Sequence, residues 1–219
     1  PASDKEKLLA PIEDVSGHTI VLGSPLERDV PEASRVGYDH NLIRVLPAAQ
    51  DVRIEHLRLE GGRDPEIPMP GHVHHCAVFA AGRYSYGGGP SAPPVENLQV
   101  LGCEIRNFYG RAVALYSVVK SKVAGCTIAD IADEAVDFDH FTYHCEAIGN
   151  RITRSVTGVT INDGSYCTVA DNRIDQCGVG VTIWWWHMCP QTDIDRDNVI
   201  RDNSVWRPQG PAISLGRRC

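Results

Sequence analysis

The stretch Val136-Asp-Phe-Asp-His140 sets two carboxylates at alternate positions of an extended segment and an imidazole directly after them. Residues two apart on a strand share a face, so Asp137 and Asp139 stand with Cα atoms about 6.6 Å apart. Carboxylates that close raise one pKa or share a cation. They suit general acid–base work, and with Asp163 they offer the clustered oxygens that Ca²⁺ takes. His140, His144 and Tyr116 supply groups for proton transfer. A run of three tryptophans, Trp184, Trp185 and Trp186, is followed by His187. Flat rings of this kind hold the apolar face of a pyranose, and exposed aromatic platforms mark binding surfaces. Asn162, Arg83 and Tyr84 complete the candidate binding set. The imidazoles of His72-Val-His74-His75 alternate along one strand face and could ligate a transition metal, with Asp133 and Glu134 in register on a later coil, or form a solvated or charge-paired turn. No phosphate loop, nucleophile elbow or Cys-x-x-Cys pair occurs.

What positions these residues is a repeat of about 22 to 24 residues. Val100-Leu-Gly-Cys-Glu-Ile105, Val123-Ala-Gly-Cys-Thr-Ile128, Ala147-Ile-Gly-Asn-Arg-Ile152, Val169-Ala-Asp-Asn-Arg-Ile174 and Ile200-Arg-Asp-Asn-Ser-Val205 are copies of one unit, and Ile54-Glu-His-Leu-Arg-Leu59 is a sixth. Fixed-period self-similarity means stacked supersecondary units. The apolar runs are short and no helical stripe separates them, so each unit holds three short strands and three turns. Leu59, Ile105, Ile128, Ile152, Ile174 and Val205 form one inward ladder, and Ile54, Val100, Val123, Ala147, Val169 and Ile200 a second. The third runs through Ala77, Val113, Val136, Val159, Val181 and Ile213, followed two residues later by Phe79, Leu115, Phe138, Ile161, Ile183 and Leu215. Leu57, Cys103, Cys126, Asn150, Asn172 and Asn203 fall between the first two ladders, where stacked amides hydrogen-bond from coil to coil.

Alternation then gives the outward columns of the third sheet: Tyr116, Asp139, Asn162 and Trp184 in one; Ala114, Asp137, Thr160, Thr182 and Ser214 in its neighbour. Three insertions, 60–73, 82–94 and 184–196, flank this sheet, and insertions in a solenoid are where binding loops sit. His144 lies one corner further on, in register with Lys120 and Tyr166. The chain therefore reads as one all-β domain, 1–219, with residues 1–40 as N-terminal cap and first strands and 41–216 as coils.

With 219 residues and 42% hydrophobic content, the chain is long enough for a well-buried core and has no apolar run of membrane-spanning length. A formal charge of −7 disfavours nucleic acid as a partner. The polar start, Pro1-Ala-Ser-Asp-Lys-Glu-Lys, contains no secretory leader. Of the eight cysteines, Cys103 and Cys126 occupy the amide-ladder position. Cys145 and Cys167 lie in register on neighbouring coils, as buried thiols or as a bridge, while Cys177, Cys189 and Cys219, in or near turns, are the better disulfide candidates. The last strand, Ala212 to Leu215, leaves an open edge, to be covered by further residues, a partner or a second copy.

The ladders and the Asn-bearing turn resemble the right-handed parallel β-helix of the pectate-lyase-like superfamily, over roughly residues 41 to 216. That resemblance implies a substrate groove on the third sheet, a polysaccharide or oligosaccharide partner, an extracellular or periplasmic location, Ca²⁺ as the one expected cofactor and no organic cofactor. Val136-Asp-Phe-Asp139-His140 is similar to the Asp-Pro-His-Asp motif of alginate C5-epimerases, which follows a Phe. Phe138 and Asp139 match in register, but His140 stands at the Pro position and Phe141 and Thr142 replace the next two residues. Three classes stay open: a lyase or C5-epimerase acting on a uronan, a glycoside hydrolase using Asp137 and Asp139, and a non-catalytic carbohydrate-binding or adhesin segment. The hydrolase motifs of the superfamily, Asn-x-Asp, Asp-Asp and Gly-His-Gly, are missing.

Overall fold

The computed structural model describes residues 12–16, 19–22, 41–64, 75–85, 88–185 and 195–216. The chain divides into two units, Pro1–Val36 and Gly37–Cys219. In the first, Ile12–Ser16 and Thr19–Leu22 form an antiparallel hairpin. The second is a solenoid of parallel strands, and the described residues include no helix.

Six strands, Arg53–Glu55, Gln99–Leu101, Lys122–Ala124, Glu146–Ile148, Thr168–Ala170 and Val199–Arg201, stack in order as one sheet. Val100 pairs with Ile54 and Val123, and the ladder continues through Ala147, Val169 and Ile200. The second ladder likewise follows Leu59, Ile105, Ile128, Ile152, Ile174 and Val205. The third ladder is not separate from the second in every coil. Thr127–Phe138 and Arg151–Asn162 each run unbroken through both, which merges the two into one eleven-stranded sheet. The bend falls at Asp130 and Arg154, which take φ of 60° and 54°. One left-handed residue turns the chain without ending the strand, at a local conformational cost for a non-glycine.

The other corners use the same device. Before the amide ladder the left-handed residue is Gly102, Gly125 or Gly149, then Asp171 and Asp202, types that tolerate this region best. At the corner after the third sheet it is Lys120, His144 and Tyr166, with φ of 51°, 56° and 58°.

Burial of the ladder side chains holds the coils together: Ile105, Ile128, Ile152, Ile174, Val123 and Val169 are fully enclosed in one continuous core. Each such residue contributes roughly 1.5–3 kcal/mol. In the tight turn, Asn150 Nδ2 donates to Asn172 Oδ1 at 2.9 Å and to the Val123 carbonyl at 2.9 Å, and Asn172 repeats this toward Asn203 and Ala147. Cys103 and Cys126 imitate it weakly, their thiols lying 3.6 Å from the Ile54 and Val100 carbonyls. Leu57 has the right register but is exposed.

The first coil departs from expectation by one residue. Val78 and Ala80, not Ala77 and Phe79, pair with Val113 and Leu115, and Phe79 joins the outer face opposite Ala114. Cys76 to Ala81 is apolar throughout, so alternation has no polar residue to fix its phase. The six cysteines among the described residues carry free thiols, Cys145, Cys167 and Cys177 included. Cys189 and Cys219 lie outside the described residues. In the last coil Val199, Trp206, Ile213 and Leu215 are exposed.

Candidate functional site

The outer face of the third sheet carries the columns that alternation gives. Ala114, Asp137, Thr160, Thr182 and Ser214 are successive partners, and Asn162 pairs with Trp184. The middle of this face is not solvated, although Thr182, Trp184 and Ser214 are only half-buried. Asp137 is 1% exposed, Asp139 4%, Thr160 1% and Asn162 5%. A parallel sheet covered on both sides normally carries apolar residues on both, so buried polar groups here require partners.

One set of partners runs from Tyr116 to Asp163. Phe138 anchors the strand inward, and the chain turns so that the His140 backbone N–H donates to Asp139 Oδ1 at 2.7 Å. The imidazole lies between two carboxylates, with Nε2 3.1 Å from Asp139 Oδ1 and Nδ1 2.7 Å from Asp163 Oδ2. Asp163, fully buried, reaches it from the next coil, at the left-handed end of Arg151–Asn162. Asn162 Nδ2 donates to Asp139 Oδ1 at 2.7 Å, and the Tyr116 phenol hydrogen-bonds the same carboxylate. Burial raises the Asp139 pKa, and His140 and the Tyr116 bond oppose that rise. Burial and the nearby Asp137 and Asp139 carboxylates push the Tyr116 phenol well above its ordinary value, so it remains a proton donor.

A second set centres on Arg111, at the entry to Val113–Tyr116. Its Nε lies 2.9 Å from Glu134 Oε2 and 3.3 Å from Asp137 Oδ2, and its Nη1 lies 3.4 Å from Asp133 Oδ2. A register shift between Ile131 and Glu134 sets the two adjacent carboxylates against the guanidinium, the re-aiming that a bulge provides. Burial works against the Arg111 charge, but Asp137, Tyr116, Glu134 and Asp133 outweigh it and keep the side chain cationic. One cation does not balance three acids. Burial, then Glu134, lifts Asp133 to about 7, and burial, then Asp139 and Glu134, raises Asp137 well above the carboxylate range.

Several oxygens on this face have no hydrogen-bond partner: both of Asp137, Thr160 Oγ1 and Asn162 Oδ1. A buried unsatisfied polar group costs about 1–3 kcal/mol. Asp195, at the end of the third insertion, is also buried, and burial followed by the Asp163 charge lifts it to about 8 against the opposing pull of the Asp163 and Gly164 backbone N–H groups.

Aromatic rings cover the first set. Tyr84, from the second insertion, lies 6.3 Å from Tyr116, 5.8 Å from His140 and 5.5 Å from Phe141, centroid to centroid. Trp185, from the third insertion, packs with Tyr84 against Phe141. Trp184 is half-buried beside Asn162, and Arg83 is exposed. Trp186, His187, His72 and His74 lie outside the described residues.

Tyr116, Asp137, Asp139, His140, Asn162 and Asp163 thus come together, with Tyr84, Trp184 and Trp185 at their margin. His144 does not join them. Its left-handed corner position turns it outward, where it stacks on Tyr166 at 4.8 Å and Arg196 caps the far side of the pair at 5.4 Å. His75 is occupied too: its Nδ1 accepts the Tyr109 N–H at 3.0 Å and its ring packs on Phe108, while Asp133 and Glu134 turn to Arg111. Asp139 and Asp163 direct oxygens at N–H groups instead of a common point. Among the described residues no group of three His, Cys, Asp or Glu side chains is arranged to hold a metal ion. The Asp137, Asp139 and Asp163 set therefore does not fit Ca²⁺, which requires six to eight oxygens about one centre. No short motif marks Arg111, and its signal in the sequence is a charge complement one coil apart, Arg111 against Asp133-Glu134.

Comparison with known families gives one match: the family described as right handed beta helix region, over residues 76–205, more than half of the chain. No curated protein and no solved structure matches. No helix among the described residues is long and apolar enough to cross a membrane.

Proposed function

The chain belongs to the right-handed β-helix region family, and from that premise we propose that it acts on a uronic-acid-containing polysaccharide as a lyase or C5-epimerase. The observation that carries this reading is the His140 imidazole held between Asp139 and Asp163, with the Tyr116 phenol on Asp139, beneath rings from two insertions. A ring with a carboxylate at each nitrogen passes a proton from one side to the other, and buried, hydrogen-bonded groups keep that geometry without solvent reorganisation.

The chemistry follows from those positions. In elimination the C5–H bond breaks and its proton passes to the Asp139–His140 dyad. The electron pair forms the C4=C5 double bond as the C4–O4 bond breaks, and Tyr116, held as a neutral phenol, protonates the departing oxygen. In epimerisation the proton returns to C5 on the opposite face and the glycosidic bond stays. The sugar carboxylate needs a cation to acidify C5, and Arg83, exposed beside Tyr84, supplies it. Arg111 is committed to its three acids. Trp184 and Trp185 provide apolar faces for the ring. Such a polymer lies outside the cytoplasm, so the place of action on this reading is extracellular or periplasmic.

One observation favours a second reading. Asp137, its pKa raised by burial and by the Asp139 charge, stands next to a carboxylate held by donors, and two such unlike carboxyls are what glycoside hydrolysis uses. Incubation with alginate, pectate, glycosaminoglycans and neutral glycans, read at about 235 nm for unsaturated products, by reducing ends and by NMR for C5 inversion, distinguishes the two. Unsaturated or inverted uronate products support the first; reducing ends alone support the second. No product with retained glycan binding refutes both and leaves a binding module.

A further inference from the structure

We propose that Asp137, Thr160 and Asn162 form a buried subsite for the hydroxyl edge of one sugar ring, which reads a vicinal diol instead of a carboxylate. The inference rests on the polysaccharide reading above and adds which edge of the sugar enters.

The starting point is a local failure of hydrogen bonding in a fold that elsewhere satisfies its buried amides. Asn150 and Asn172, each 1% exposed, have both ends of their side chains bonded. On the third sheet, Asp137, Thr160 and Asn162 are enclosed to the same degree, yet four of their oxygens accept nothing and donate to nothing. Asp137 Oδ2 lies 3.3 Å from Arg111 Nε, an ion pair without a directed hydrogen bond. These atoms are neighbours. Thr160 pairs directly with Asp137 across the coils, about 4.8 Å away, and Asn162 follows Thr160 by two residues on the same face, about 6.6 Å on. With Asp139 as fourth corner they outline an area the size of a single sugar ring.

The set has edges. Toward one end of the solenoid the column continues as Ala114, which has no polar side chain. Toward the other it continues as Thr182, whose hydroxyl is satisfied by the Ser214 carbonyl at 3.3 Å. Along this column the orphaned oxygens therefore fall on two adjacent coils.

The chemistry of the atoms selects the ligand. Asn162 donates one amide hydrogen to Asp139 Oδ1 at 2.7 Å, and its carbonyl oxygen is the unpartnered acceptor on this face. Asp137 offers carboxyl oxygens, and Thr160 a hydroxyl that both donates and accepts. Two acceptors flanking a hydroxyl suit a pair of ligand hydroxyls. A ligand carboxylate would meet acceptors on both sides, and the ring must enter with that group turned away, toward exposed Arg83.

Thr160→Val tests this, because it removes the hydroxyl at constant shape. A satisfied structural hydroxyl loses stability on such a change, whereas an orphaned one does not. Tryptophan fluorescence titration in a Tyr116→Phe background, which blocks turnover, uses tetrasaccharides of galacturonate, mannuronate, guluronate and glucose, each native and O2,O3-acetylated. We expect at least one native tetrasaccharide to bind, its acetylated form and Thr160→Val each to weaken binding by about tenfold or more, Thr160→Ser to retain it, and the Tm of Thr160→Val to equal or exceed that of the parent. Unchanged affinity in Thr160→Val overturns the subsite, as does a Tm lowered by several degrees. So does Ca²⁺ alone raising the Tm of the parent but not of Thr160→Val, which would assign the oxygens to a cation. If only the glucose tetramer binds and Thr160→Val weakens it, the uronate reading fails and the diol subsite stands. If no sugar binds, both fail.

Discussion

Replacing Arg111 by Met should expose how far the outer face of the third sheet depends on one cation. The guanidinium lies 2.9, 3.3 and 3.4 Å from Glu134, Asp137 and Asp133 and is itself only 8% exposed. Removing one partner of a buried charge cluster costs about 3–5 kcal/mol, because the remaining charges are left unpaired. The cluster can escape by binding protons. A carboxyl with an ordinary pKa of 3.8 that must be neutral in the fold costs about 1.4 kcal/mol for each pH unit above that value. Between pH 5 and pH 8 a single newly protonated group therefore changes stability by about 4 kcal/mol. The expected deficit of Arg111→Met is about 3–5 kcal/mol at pH 8, shrinking to about 1 kcal/mol at pH 5. Urea unfolding at both pH values, with m compared to confirm the same transition, measures it. Arg111→Lys should fall between, since an ammonium supplies charge without the planar fork. A deficit equal at the two pH values, or below about 1 kcal/mol at pH 8, would refute the view that Arg111 holds three ionisable partners.

Asp163→Asn should lower kcat by about 10²–10⁴ with KM little changed and shift the pH–rate profile, because Asp163 acts through His140 without touching substrate; a rise in KM at constant kcat would count against it. The wild-type protein should become more stable as pH falls from 8 to 5. Asp133, raised to about 7, and Asp195, raised to about 8, bind more protons folded than unfolded. Their contribution is complete below about 3.8 and is lost as pH climbs through those values. A Tm that falls steadily over that acidification would contradict this. Asn172→Ala should cost about 2–4 kcal/mol by denaturant unfolding, since it strands the Asn150 amide and the Ala147 carbonyl, and Asn203→Ala, at the half-buried end of the ladder, clearly less; equal losses would argue against a cooperative ladder.

How much of this was legible followed from the number of independent copies of each signal. The Ile105 and Val100 ladders recur in six coils with an invariant spacing to the tight turn, so their register leaves no alternative. Asp137 and Asp139 inherit their face from Val136 and Phe138 for the same reason. Legibility fails where a single local event decides the outcome. The apolar run Cys76–Ala81 contains nothing to fix its phase, and the first coil came out one residue displaced. His144 shares the sequence neighbourhood of His140, but one left-handed backbone angle sends it to the other side of the corner. Arg111 finds its partners a coil away and across a bulge, a combination that no short motif encodes. The rings packed on His140 and Phe141 arrive from two insertions, whose paths no periodicity describes.

The contrast between sheets argues for where selection has acted on this solenoid. On the first sheet the outward positions are wet, and they carry ion pairs such as Lys122 with Glu146 at 2.6 Å, an exposed kind that contributes at most about 1 kcal/mol. On the third sheet the outward positions of the two middle coils are dry and nonetheless polar, with acids in excess over Arg111 and oxygens left without partners. Apolar residues there would serve the fold better, as they do on the inner face of the same strands in Val113, Val136 and Val159. A parallel ladder has no need of buried aspartates or orphaned hydroxyls to keep its register, because the core ladders already fix it. Local rules broken together, at one place, without a compensating structural gain are the physical mark of a site kept for chemistry, and here the broken rules coincide with the His140 cluster and nowhere else along the described coils to the same extent.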